Sequence, residues 1–134
     1  MTNPRYSYLF TDEHGNPTVM DPSEVELWEV DFQALESETG LPPALAEGET
    51  ITNIVACTPT AEAASLGFEV MSDPAPFLGS GSTRLRFWTR VDETRQGDPA
   101  WDGYGTRCGV EVIVETSDAP RQLALTVLIQ VGQS

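Results

Sequence analysis

Two neighbouring runs decide the fold: Cys108-Gly-Val-Glu-Val-Ile-Val-Glu115 and Gln122-Leu-Ala-Leu-Thr-Val-Leu-Ile-Gln-Val131. In the second, Leu123, Leu125, Val127, Ile129 and Val131 share one side of a period-2 pattern, with Gln122, Ala124, Thr126, Leu128 and Gln130 on the other. In the first, Cys108, Val110, Val112 and Val114 alternate with Gly109, Glu111, Ile113 and Glu115. Successive side chains of a strand point to opposite faces, so each run reads as a strand with one face in a core. The turn-rich Thr116-Ser-Asp-Ala-Pro120 between them makes an antiparallel hairpin with a connection of about four to six residues.

Outward from this hairpin the same period recurs. Leu85, Phe87, Thr89 and Val91 alternate with Arg84, Arg86, Trp88 and Arg90, giving a third strand whose outer face is basic. Further strands are expected over Gly67 to Met71, over Ile51 to Thr58, and over Glu24 to Phe32, where Trp28, Val30 and Phe32 face away from Glu29 and Asp31. Ala61 to Leu66 and Asp31 to Leu35 allow a turn or two of helix and no more. Near the start, Tyr6, Tyr8 and Phe10 alternate, and Asp12-Glu-His-Gly-Asn-Pro17 supplies a turn before Val19. Two long loops remain, Glu36 to Glu49 and Asp92 to Thr106, of a length more often functional than idle. About seven short strands with almost no helix predict an all-β antiparallel sandwich with immunoglobulin-like topology. Residues 1–20 would form an N-terminal hairpin or arm and residues 21–134 the sandwich.

At 134 residues, 40% apolar and 21% charged, the chain has the composition of one folded domain. Its charge is unusual. Twenty-one acids face seven basic residues, all arginine, for a net charge of −14. Residues 1–62 hold twelve acids and one arginine, whereas residues 63–134 hold nine acids and six arginines. Nucleic acids and anionic membranes are bound by neutralising phosphates with Lys and Arg, so both partners are disfavoured. The N-terminus lacks the basic start and apolar run of a secretory signal, and no stretch reaches the ~20 apolar residues of a membrane helix. The chain is therefore expected to be made in the cytosol. Cys57 and Cys108 follow no metal or redox spacing and are expected to be buried thiols rather than a disulfide.

Catalytic constellations are sparse. His14, the sole histidine, falls in a turn with no nucleophile set beside it by spacing. Gly79-Ser-Gly-Ser82 lacks the helix and lysine of a phosphate cradle. A glycosidase-like carboxylate pair arises easily by chance among so many acids. Asp92, Glu93, Asp98 and Asp102 offer oxygen ligands but no calcium-loop spacing, so they read as structural loop acids. No catalytic residue, cofactor or metal is called for, and a non-enzymatic role is expected.

The order of short motifs resembles that of a known family. Asp21-Pro22-Ser-Glu-Val25, Val30-Asp31-Phe32, Gly48-Glu-Thr-Ile51, the strand around Trp88 and Val110-Glu-Val-Ile-Val-Glu-Thr-Ser117 are similar to the skeleton of small immunoglobulin-like virion proteins of tailed bacteriophages. The resemblance extends over residues 20 to 131. The chain departs from the pattern in an expanded Asp92 to Thr106 segment, with Cys108 near the place of an aromatic, and in a longer Glu36 to Glu47 segment. The resemblance implies a virion structural role, read here as a capsid decoration (cement) protein on the outer head surface. Its partners would be the major capsid protein and other copies of itself, as in a trimer. The alternative is a tail, neck or fibre-associated adaptor touching host glycans.

Contact residues follow from the pattern. Arg84, Arg86 and Arg90 share a strand face with Trp88, and Arg and Trp are both enriched at interface hot spots. This stripe is either a contact or a solvated, charge-balancing face. As a contact it would meet the acids Asp12, Glu13, Glu24, Glu26, Glu29 and Asp31 of a neighbouring copy. The Tyr6, Tyr8, Phe10 segment would add to a neighbour's sheet edge or serve as an ordinary edge strand. Trp101 and Tyr104, in the expanded loop, complete the candidate set, as contact residues or sugar platforms.

Overall fold

The computed structural model describes residues 6–11, 16–33 and 45–133. They form two sheets packed face to face. The first has the order β1 (Tyr6–Leu9), β9 (Gln122–Val131), β8 (Thr106–Thr116), β4 (Ile51–Pro59), with β2 (Val19–Met20) also on β9. The second has the order β3 (Glu26–Asp31), β7 (Arg84–Val91), β5 (Phe68–Val70), with β6 (Phe77–Leu78) also on β7. The all-β sandwich expected from the strand pattern is what the chain forms.

The deciding hairpin is present and longer than its sequence pattern: β8 and β9 pair antiparallel from Thr106 opposite Val131 to Glu115 opposite Gln122. Val110, Val112, Val114, Leu125, Val127 and Ile129 are all buried, so the alternation marks the inner face as expected. Opposite them, Trp28, Val30, Leu85, Phe87 and Val91 line the inner face of the second sheet, joined by Phe32 and Phe68. The side-chain periods of the two sheets thus meet across one core.

β1 and β2 both lie along β9 of the same chain. β1 runs parallel to β9, with Leu9 opposite Leu128, and β2 continues along the same edge, with Val19 opposite Gln130. Between them Thr11 bridges to Pro17 and the Thr18 N–H donates to the Phe10 carbonyl. Parallel pairing of a first strand with a last one leaves no local trace in sequence, because both ends must be placed by the rest of the fold.

α1 (Ala61–Ser65) carries the chain from one sheet to the other between β4 and β5. Thr60 starts it, its hydroxyl accepting from the Ala63 N–H, and Gly67 closes it at φ 88°. Gly105, at φ 75°, is required more strictly: a Cβ there would stand 1.7 Å from the Val131 carbonyl oxygen. That close approach lets the Asp92 to Thr106 loop return onto the start of β8.

Candidate functional site

The outward face of the second sheet gathers most of the features singled out in sequence. β7 alternates as read, with Leu85, Phe87, Thr89 and Val91 buried and Arg84, Arg86, Trp88 and Arg90 turned outward. Pairing with β3 places Glu29 opposite Arg86, Leu27 opposite Trp88 and Asp31 opposite Arg84. Pairing with β5 and β6 places Glu69 opposite Arg90 and Phe77 opposite Arg86. Met71 donates its N–H to the Trp88 carbonyl and so extends the Leu27–Trp88 row across the sheet.

The arginines are paired within the chain. Arg86 Nε donates to Glu29 Oε2 at 2.7 Å and Arg90 Nε to Glu69 Oε2 at 2.9 Å. Arg84 stands 3.5 Å from Asp31 and 3.7 Å from Glu29. Glu29 and Asp31 were expected to meet the arginines of a neighbouring copy, yet the β3–β7 register sets them beside their own. The face is therefore an apolar row, Leu27–Trp88–Met71, bordered on one side by Glu29–Arg86 and on the other by Glu69–Arg90. Leu27 and Phe77 are each 38% exposed and Trp88 is half-buried.

Leu27, Phe77 and Met71 were missed in sequence. Leu27 was recoverable, since Trp28 and Val30 facing inward oblige Leu27 to face out beside Glu29. Phe77 and Met71 belong to the patch only through pairing with β7.

Other candidates lie elsewhere. Trp101 is fully buried, its indole N–H donating to the Arg95 carbonyl at 2.9 Å, so it is a core anchor and offers no contact or sugar platform. Phe10 is buried too, its ring 4.8 Å from that of Trp28, so of the two readings of its segment Phe10 fits the edge strand of its own fold and not a contact with a neighbouring copy. Tyr104 is 88% exposed, close to Val19 and Asp21 in a shallow depression apart from the arginine face. Tyr6 and Tyr8 fall in β1 opposite Leu125 and Val127. His14, Asp12 and Glu13, like residues 36–44 of the acidic loop, lie outside the described residues.

The Asp92 to Thr106 loop is built for rigidity. Asp92 accepts from the N–H and hydroxyl of Thr94, and Asp98 from the Ala100 N–H and Arg95. In that order, these donors hold both carboxyls below their usual range. The Thr106 hydroxyl donates to the Ala100 carbonyl, and the Gln133 N–H to that of Trp101. Among the described residues no group of three or more His, Cys, Asp or Glu side chains is placed to hold a metal. Both cysteines are free thiols, pushed up to about 12 by burial and hence protonated at neutral pH.

Of the motifs that carried the resemblance, Asp21-Pro22-Ser-Glu-Val25 and Gly48-Glu-Thr-Ile51 are turn and corner chemistry, whereas the stretch around Trp88 and Val110 to Glu115 are strand. Asp21 accepts from the N–H and hydroxyl of Ser23, while Glu24 reaches back to the Asp21 N–H. Gly48-Glu-Thr-Ile51 meets Thr116-Ser117 in space: the Thr50 N–H donates to the Ser117 hydroxyl, and the Ser117 N–H to the Thr50 carbonyl. Glu49, buried between them, accepts from the Thr116 hydroxyl at 2.6 Å, from the Ala46 N–H and from Arg121. Burial presses this carboxyl upward, but those three donors outweigh it and hold it below its usual range.

No family model, curated protein or solved structure matches the chain.

Proposed function

We propose that this chain is a non-enzymatic structural protein that docks onto a protein lattice, in the role of a capsid decoration protein on the head of a tailed bacteriophage. The observation that carries the docking is the outward face of β3, β7 and β5, where an aromatic and aliphatic row is bordered by ion pairs. Apolar anchors inside a polar rim are the anatomy of a protein contact, in which the centre supplies affinity and the rim excludes water and fixes register. The arginine–carboxylate pairs bordering the row are already formed, so docking would not require the chain to order them.

The virion setting rests on the order of the turn and strand motifs. A head exterior suits a net charge of −14, because a DNA-facing lining would be repelled by the packaged nucleic acid. Many copies on neighbouring lattice subunits would tie them together, each weak contact reinforced by repetition.

Purified protein added to undecorated heads of the phage that encodes it should saturate at a stoichiometry matching lattice sites, and antibody labelling should cover the head surface. Labelling confined to the tail, or no binding to heads, would overturn the assignment.

A further inference from the structure

A second surface lies at the side of the sandwich where β4 leaves one sheet and β5 enters the other. A groove of about 800 Å³ runs there, lined by Pro59 and Ala64 on one flank, by Phe68 to Asp73 along the middle, and by Arg90 and Asp92 at one end. Its floor is a strand edge. The Asp92 N–H donates to the Gly67 carbonyl and the Met71 N–H to the Trp88 carbonyl, with Glu69 opposite Arg90 between them. Residues 67, 69 and 71 thus turn their backbone groups to β7, and strand alternation turns those of Phe68 and Val70 into the groove. Among the described residues β5 pairs with β7 alone, so this edge has no strand partner.

An exposed edge is a template for another chain. Natural sheets blunt such edges with shortness, proline or inward-pointing charge; β5, Phe-Glu-Val, is short, but its one charge is turned outward toward Arg90 and it holds no proline. The charges of the groove select the occupant. Arg90 is taken by Glu69, and Arg95, which also lines the groove, by Asp98. Asp73 remains without a cation within ion-pair distance among the described residues, and Asp92, whose carboxylate accepts from Thr94, is only partly offset by the more distant Arg90 and Arg95, on a chain that is already strongly acidic.

We propose that the β5 edge accepts an extended, basic segment of a partner protein as an added strand. Its backbone would pair with Phe68 and Val70, its alternate apolar side chains would rest on the Pro59 and Ala64 flank, and its Lys or Arg residues would meet Asp73 and Asp92. This surface adjoins the Trp88 row and shares Met71 and the Glu69–Arg90 pair with it, but it uses the backbone edge of Phe68 and Val70, and the inference stands whether or not the partner belongs to a virion.

The test uses a synthetic octapeptide alternating valine and lysine, the same peptide N-methylated at alternate nitrogens, and an alternating valine–glutamate peptide. Saturable binding of the first is expected, with new hydrogen-exchange protection at the Phe68 and Val70 amides and at least tenfold weaker binding of the other two. Val70→Pro removes a donor that β7 does not use and should weaken binding at least tenfold. Asp73→Lys, at an exposed site, should weaken it several-fold and reduce its salt dependence. The proposal is overturned by absence of binding at millimolar peptide, by equal binding of the N-methylated or glutamate peptide, or by wild-type affinity in Asp73→Lys.

Discussion

The molecule uses arginine–carboxylate pairing in two places with opposite consequences. At the corner joining β4 to the β8–β9 turn, Glu49 has a side chain only 5% exposed and is tied to Arg121, Thr116 and the Ala46 N–H. On the outward face of β7, Glu29 and Arg86 are exposed by 36% and 39%. The chemistry is shared and the solvent differs. Removing a buried carboxylate leaves its donors without an acceptor in a poorly solvated site, whereas an exposed pair exchanges each lost contact for water. The corner holds the fold, and the face is free to be used for something else.

The contrast is broken most directly at the corner. Glu49→Ala should cost about 2–3 kcal/mol in denaturant unfolding, because it orphans the Thr116 hydroxyl and the Ala46 N–H together. A loss below about 1 kcal/mol would place the corner in the same class as the face. Thr89→Val probes another buried polar contact, between the Trp28 indole N–H and the Thr89 hydroxyl at 2.8 Å. Shape is kept and the acceptor removed, so about 1–2 kcal/mol should be lost.

The pH dependence sharpens the comparison. Glu49 has a folded pKa below its ordinary value, so its stabilisation is fully present above the unfolded value and is lost as pH falls through the folded one. Acid unfolding below about pH 4.5 should therefore be flatter in Glu49→Gln than in the wild type. The smallest effect belongs to the face: Arg86→Ala should change stability by less than about 1 kcal/mol, and less still in high salt.

Much of the fold was legible because burial on one side writes a period of two into the strands. Arg84 to Val91 reads as a strand with its two faces correctly divided, and β8 and β9 read as a hairpin. What escaped depended on tertiary placement. The parallel alignment of β1 and β2 with β9 is set by the closure of the whole sandwich. Trp101 sits among Asp, Gly and Pro, which suggests exposure, yet a turn of 3-10 helix brings its ring into the core and its N–H to the Arg95 carbonyl. The arginine stripe was visible, but its partners Glu29, Asp31 and Glu69 emerge only when β3 and β5 are laid on either side of β7. A charge pattern that suggested recognition between copies thus proved to be neutralised in place, and the apolar row it borders became the stronger candidate contact.

The central claim is that this row serves binding and not folding. Its most direct measurement is the affinity of Trp88→Ala for undecorated heads beside its denaturant midpoint. The account predicts at least a tenfold loss of head binding with a stability loss that leaves the protein fully folded under the binding conditions. Wild-type affinity in the folded variant would contradict it.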